Sequence, residues 1–111
     1  MYLVVWKYKV NKNNQTEFEL EYGNLGTWSK LFKSSDNYIN SSLYKSSDKN
    51  ETYLLIDTWT DEQSYENFKN TNESFYESLS SRFENIYETE VKIGTFNTIN
   101  CAIMPKRLNQ K

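Results

Sequence analysis

The sequence contains no histidine, which removes the Ser-His-Asp and Cys-His nucleophile systems, the HExxH zinc helix and a His-ligated haem. Glycine is nearly as scarce: with only Gly23, Gly26 and Gly94, neither a GxGxxG dinucleotide turn nor a phosphate-cradling loop can be written. The single cysteine, Cys101, cannot close an internal disulfide and belongs to no CxxC pair, a pattern expected of a reducing, cytoplasmic setting. No apolar run approaches the length of a membrane span, and the apolar start Tyr2 to Trp6 has neither the basic flank nor the small-residue cleavage site of a secretory leader. Charge of one sign is also missing. Thirteen Lys and Arg stand against fifteen Asp and Glu, interspersed, for a net charge of -2, which gives no footprint for nucleic acid or an anionic membrane. What the chain does have is aromatic mass: nine Tyr, six Phe and three Trp in 111 residues, far more than a disordered chain carries. The length suits one domain whose core is thin enough for association to be expected.

Along the chain, Tyr2, Val4, Trp6, Tyr8 and Val10 fall on one face of a strand and Leu3 and Val5 on the other, so this strand is apolar on both sides. Asn11 to Gln15 is a polar turn, and Thr16 with Glu19 reads as a capping box opening a helix. Phe18, Tyr22, Leu25, Trp28 and Phe32 then recur at helical spacing. Gly23 and Gly26 interrupt that stripe, where a bend or a close backbone approach is expected. Tyr38–Lys45 and Glu51–Trp59 read as two strands joined by a hairpin loop over Ser46 to Asn50. The loop sets Ile39 opposite Asp57, Ser41 opposite Leu55 and Leu43 opposite Tyr53, all sharing a face with Trp59, while Tyr38, Tyr44, Leu54 and Ile56 take the other face. Thr60 with Gln63 opens a second helical region carrying Tyr65 and Phe68. After an interruption over Lys69 to Glu73 this region continues with Phe75, Leu79 and Phe83. Ile86 to Phe96 is the last strand, with Val91 and Ile93 on one face and Phe96 opposed. Residues 98–111 read as a tail appended to a domain of residues 1–97.

The order βαββαβ predicts an α+β, ferredoxin-like fold: a four-stranded antiparallel sheet with helices on one face. Because several strands are apolar on both sides, the uncovered face needs a second sheet. A homodimer joined through the sheet face is therefore expected. The RNA-recognition module shares this order, but the strand Glu51–Trp59 has none of the Lys, Arg or Gly that base stacking on a central strand calls for, so no nucleic-acid partner is expected.

The fragments Phe18-Glu-Leu-Glu-Tyr-Gly-Asn-Leu-Gly-Thr-Trp-Ser-Lys-Leu-Phe32, Tyr53-Leu-Leu-Ile-Asp-Thr-Trp59 and Glu90-Val-Lys-Ile-Gly-Thr-Phe96 resemble the antibiotic biosynthesis monooxygenase domain family. The resemblance spans residues 2 to 97 and implies a dimeric α+β barrel. It further implies a monooxygenase that needs no cofactor and oxidises an aromatic polyketide-like or quinol substrate with O2. In the anthrone-oxidising branch the strand Trp matches Trp59 and the helix Tyr matches Tyr65, whereas the pocket Asn and His positions hold Leu55 and Lys45 here. The haem-degrading branch ligates iron through a His that this chain lacks.

Oxygenation of this kind makes the substrate the electron donor, so the protein must take a proton and keep out water. Asp57, between Leu55 and Trp59 on one strand face, is the candidate general base because desolvation raises a carboxyl's pKa; the alternative is a carboxylate paired with a cation or backbone donors. Trp59 and Tyr65 complete the candidate catalytic set, and Tyr22 and Trp28 with them form an aromatic box for a flat ligand, unless these rings are simply core. Leu55 and Lys45 are the remaining candidate substrate contacts. Glu17, Glu19, Glu21, Glu88 and Glu90 read as exposed acids rather than metal ligands, and no metal is expected. The competing function is a non-catalytic dimeric barrel that binds a small hydrophobic molecule or acts in a stress response.

Overall fold

The elements run β1 (Tyr2–Lys9), a 3₁₀ turn (Lys12–Asn14), α1 (Gln15–Tyr22), α2 (Thr27–Phe32), β2 (Tyr38–Lys45), β3 (Thr52–Trp59), α3 (Glu62–Thr71), α4 (Glu73–Phe83) and β4 (Thr89–Asn97). The computed structural model describes residues 1–100, so Cys101 and most of the expected tail lie outside the described residues. The four strands form one antiparallel sheet in the order β2-β3-β1-β4, the ferredoxin-like arrangement, and within one chain that sheet is open, with β2 and β4 as its edges.

Alternation in β1 decides which face is covered. Tyr2, Val4, Tyr8 and Val10 are buried with Tyr53, Leu55 and Trp59 from β3, and the helices lay Phe18, Tyr22, Trp28, Phe32, Tyr65, Phe68 and Phe83 on that same layer. The core is largely a lattice of rings: Phe18 stacks on Tyr22 at 4.5 Å, and Tyr8 meets Phe18, Tyr22 and Tyr87 at 5.0–5.3 Å. Such tilted and edge-on contacts add to the burial of large apolar areas.

The expected helix over the Phe18–Phe32 stripe is two helices. Gly23 and Gly26 end one and begin the next, and a Cβ at Gly26 would lie 2.3 Å from the Glu21 carbonyl oxygen. Counting helical spacing through that break put Leu25 in the stripe, whereas Leu25 is 73% exposed. Neither expected capping box forms. The 3₁₀ turn leads into α1, with no side-chain cap at Asn14. At α3 the cap is Asp61, whose carboxylate accepts from the Ser64 backbone N–H at 2.8 Å. The second helical region divides at Asn72, and on α4 it is Tyr76, with Leu79 and Phe83, that faces the core; Phe75 points to solvent.

The hairpin register differs from the expected one by two residues: Ser41 lies opposite Asp57, Leu43 opposite Leu55 and Lys45 opposite Tyr53. A shift of two leaves the faces unchanged, but an irregularity between Tyr38 and Asn40 does not. The extra residue, Ile39, is exposed, and Tyr38 swings onto the covered face, its ring 5.3 Å from that of Trp59. A second irregularity lies between Lys92 and Gly94, opposite Trp6 and Val5, and places Phe96 opposite Leu3, on the same side as Val91 rather than opposed to it. Ile86 precedes β4 and is buried in the core.

The uncovered face carries Leu3 and Val5 from β1, Leu54 and Ile56 from β3, Tyr44 from β2, and Val91 and Phe96 from β4. Of these, Tyr44, Leu54, Val91 and Phe96 are exposed in the single chain. No helix among the described residues is long and apolar enough to cross a membrane.

Candidate active site

Between the covered face of the sheet and the helices lies a cavity of about 60 Å³ lined by Trp6, Tyr8, Tyr22, Trp28, Phe32, Leu55, Asp57, Tyr76, Ser80 and Glu90. β1 and β3 supply the floor, α1 and α2 one wall, α4 and β4 the other. Its floor is apolar except for Asp57, which is 6% exposed. The Ser41 hydroxyl donates to Asp57 Oδ1 at 2.5 Å, the one side-chain hydrogen bond that this carboxylate accepts among the described residues. Burial pushes the Asp57 carboxyl up from the ordinary 3.8 to about 6, and the Ser41 hydrogen bond pulls it back only in part. Among the described residues no Lys or Arg lines the cavity.

The second carboxylate, Glu90, sits differently. It is exposed, and it accepts from Tyr8 Oη at 2.7 Å and from Tyr87 Oη at 3.4 Å. Two acids thus border one cavity, one buried with a single donor and the other wet and held by two phenols. That is the asymmetry by which proteins separate proton-accepting from purely electrostatic carboxylates. Burial raises the pKa of the Tyr8, Tyr22 and Tyr76 hydroxyls, Tyr76 to about 12, so these phenols remain neutral donors. The indole N–H of Trp28 has no partner among the described residues.

Of the residues singled out in the sequence, Asp57, Leu55, Tyr22 and Trp28 come together in this cavity. Trp59 and Tyr65 lie behind it: Trp59 is fully buried and meets Phe32, a cavity residue, at 5.5 Å, Tyr65 at 5.6 Å and Phe68 at 5.2 Å. The Trp59 indole N–H and the Tyr65 hydroxyl also lack partners among the described residues. Lys45 is placed outside, on an open groove of about 650 Å³ along β2, where its Nζ donates to Gln15 Oε1 at 2.8 Å and sits 5.7 Å from the Tyr53 ring centre. Sequence reading did not assign Trp6, Tyr8, Phe32, Tyr76, Ser80 or Glu90 to the site. Tyr8 and Trp6 share a strand face that could have suggested them, whereas nothing local marks Tyr76, Ser80 or Glu90.

Two ammonium groups flank the outer rings. Lys92 Nζ is 5.7 Å from the Trp6 ring centre, and Lys69 Nζ is 5.8 Å from that of Tyr76 and 5.1 Å from that of Tyr65. Among the described residues no group of three or more His, Cys, Asp or Glu is placed to hold a metal ion.

A model of the antibiotic biosynthesis monooxygenase family matches residues 1–74 of the sequence. No curated protein matches it. Among solved structures, a variant of SnoaB, a cofactor-independent oxygenase from Streptomyces nogalater, is similar at a TM-score of 0.67 and 14% identity, over 90% of this chain and 94% of that one. A variant of MhuD with two manganese protoporphyrin IX bound per active site has a TM-score of 0.72 and 10% identity, over 94% and 100% of the two chains. PA3566 from Pseudomonas aeruginosa has a TM-score of 0.59 and 12% identity, over 91% and 94%. At these identities the likeness is one of fold.

Proposed function

From the premise that this chain belongs to the antibiotic biosynthesis monooxygenase family, we propose that it is a cofactor-independent monooxygenase acting on a phenolic aromatic substrate of the anthrone or quinol type. The observation that carries the reading is Asp57: a buried carboxylate with, among the described residues, one side-chain donor and no Lys or Arg on the mostly aromatic cavity it borders. Such a group takes a proton near neutral pH.

On an anthrone-type substrate, a C–H bond of the methylene opposite the ring carbonyl breaks and its proton goes to Asp57. The carbanion passes an electron to O2, the two radicals combine to form a C–O bond, and the peroxide takes a proton back. Loss of water then leaves a new carbonyl, so one oxygen atom enters the product and the other leaves as water. The protein's part is to hold the ring, move the proton and exclude solvent. Tyr22, Trp28 and Phe32 provide faces for the ring, the Trp28 N–H is a donor for a substrate oxygen, and Trp59 and Tyr65 brace Phe32 and Tyr76 from behind. Lys69 and Lys92 supply positive charge at the outer rings.

The cavity is far smaller than the roughly 300–1,000 Å³ of small-molecule sites, so a wall must give way on binding. α4 is the element placed to do so, since Phe83 is its one buried side chain. Leu55, where a hydrogen-bonding group would polarise the substrate, favours the second reading of a barrel that binds a hydrophobic molecule without oxidising it. Oxygen uptake with anthrone and hydroquinone substrates separates the two. Uptake is expected in the native protein and about a hundredfold less in Asp57→Asn. Uptake indifferent to that change would remove Asp57 from the mechanism, and ligand binding without uptake would leave the second reading.

We also infer that the uncovered sheet face joins a second copy, closing the two sheets into a barrel. The exposed Tyr44, Leu54, Val91 and Phe96 on that face support this, since a monomer in water seldom leaves such a patch bare. Sedimentation at tens of micromolar should give particles of twice 13.3 kDa, and Val91→Lys should return them to the monomer mass; 13.3 kDa particles in the native protein would overturn the pairing.

A further inference from the structure

The Ser41 hydroxyl that donates to Asp57 belongs to a longer chain of hydroxyls. Ser41 Oγ lies 2.6 Å from Tyr38 Oη, Tyr38 Oη lies 3.5 Å from Ser29 Oγ, and Ser29 Oγ donates to the Gly23 carbonyl at 3.1 Å. Ser29 is fully buried and Ser41 is 6% exposed. In a regular strand Tyr38 and Ser41, three residues apart, would point to opposite faces. The irregularity at Ile39 is what brings them to one face, and the rings of Phe32 and Trp59, 5.4 and 5.3 Å away, hold Tyr38 there. Bulges that re-aim a side chain in this way gather next to active sites.

Counting hydrogens shows that this chain has two complete states. With Asp57 ionised, the Ser41 hydrogen is spent on Asp57 and the Tyr38 hydrogen on Ser41. No phenolic hydrogen remains for Ser29, in keeping with the 3.5 Å separation there. With Asp57 protonated on Oδ1 the donors from Asp57 to Tyr38 turn around: Asp57 gives to Ser41, Ser41 to Tyr38 and Tyr38 to Ser29, while Ser29 still gives to the Gly23 carbonyl. Neither state leaves a hydroxyl hydrogen orphaned in the core, which is what a buried group that gains and loses a proton requires.

We propose that Ser41, Tyr38 and Ser29 form a reversible hydroxyl relay that lets Asp57 store a proton, the three acting as positioning residues for the base. In the oxygenase reading, on which its use in turnover rests, the proton taken from the substrate is needed again at the peroxide, and the relay keeps Asp57 ready to return it. The other titratable groups facing Asp57 are Tyr8 on β1, Tyr22 on α1, Tyr65 on α3, Tyr76 on α4 and Glu90 on β4. The phenols stay neutral, so among the described residues Glu90 is the other carboxyl on the cavity wall.

The test needs no substrate. In the ¹³C-labelled full chain, the Asp57 Cγ signal, assigned by its loss in Asp57→Asn, should titrate near pH 6, and the Tyr38 Cζ signal should move with the same midpoint as its hydroxyl changes from donor to acceptor toward Ser41. Ser41→Ala should raise the Asp57 midpoint by about one pH unit, a tenfold change in proton affinity from losing a donor to a charged group, and should leave Tyr38 Cζ flat; Ser41→Thr should restore both. A static Tyr38 signal in the native protein, or a Ser41→Ala midpoint within a few tenths of native, overturns the relay. Glu90→Gln, measured alongside, identifies a Tyr38 shift that follows Glu90 instead, which would also overturn it. A relay that behaves as described in a protein that takes up no oxygen overturns the oxygenase reading alone.

Discussion

Trp59→Ala should lower the unfolding free energy by about 3–5 kcal/mol, the range found when a large buried ring is cut back to a methyl. A domain of this size has a total of about 5–15 kcal/mol to lose, so the variant stands at the margin of folding. The reason lies in what Trp59 touches. It has no exposed surface, and its ring meets those of Phe32, Tyr38, Tyr65 and Phe68 at 5.2–5.6 Å, so its removal opens a void on which α2, α3 and the start of β2 all rest. Trp59→Phe should cost far less, about 1–2 kcal/mol, because a ring remains and the indole N–H has no partner to forfeit among the described residues. Urea unfolding at neutral pH measures both. A Trp59→Ala cost below about 1 kcal/mol would mean the residue is not packed as described.

The two strengths of the sequence were periodicity and chemistry of the strands. Two-residue alternation separates the two faces of β1 from Tyr2 to Val10 and groups Leu55, Asp57 and Trp59 on one face of β3, while the pairing of the strands and the packing of the helices decide that these faces are the same and covered. Phe18, Tyr22, Trp28 and Phe32 were legible as one stripe because α1 and α2, though separate, pack on the same layer. Where the chain departs from a regular period, residue patterns mislead. Leu25 joins its stripe only by spacing carried across the break at Gly23–Gly26, and Phe75 matches Leu79 and Phe83 at i, i+4, i+8 within α4 although its neighbour Tyr76 is the ring that faces the core. Gly94 marks the irregularity in β4, since its φ of 156° lies where a side chain is strained, but nothing comparable marks Ile39. The missed part of the site has a different cause. Tyr76, Ser80 and Glu90 reach the cavity only because α4 and β4 pass the floor laid by β1 and β3, and that crossing is set by packing over long sequence separations. The hydroxyl chain was invisible for both reasons at once: it needs the bulge, and it joins residues from β2, β3 and α2.

Asp57→Asn should make the protein more stable at pH 7.5, by about 2–3 kcal/mol, and leave it no more stable at about pH 3. In the unfolded chain the carboxyl ionises at its ordinary 3.8; folded, it does so at about 6. Below about pH 3 the group is protonated in both states and folding carries no penalty from it. As pH rises from about 3 to 6 the unfolded chain releases the proton while the folded one retains it, so the unfolded state is favoured progressively; above about 6.5 the penalty is constant. Each unit of difference is worth about 1.4 kcal/mol, and a shift of about two units gives about 3 kcal/mol, undiminished by solvent screening because the group is buried. Native stability should therefore fall between about pH 3 and 6.5 by that amount relative to the variant, in urea midpoints taken across the range. Curves that run parallel would show that Asp57 keeps its ordinary affinity for protons in the fold. A residue whose removal strengthens the protein at neutral pH and weakens its oxygen uptake is held for its chemistry, since packing alone would favour the amide.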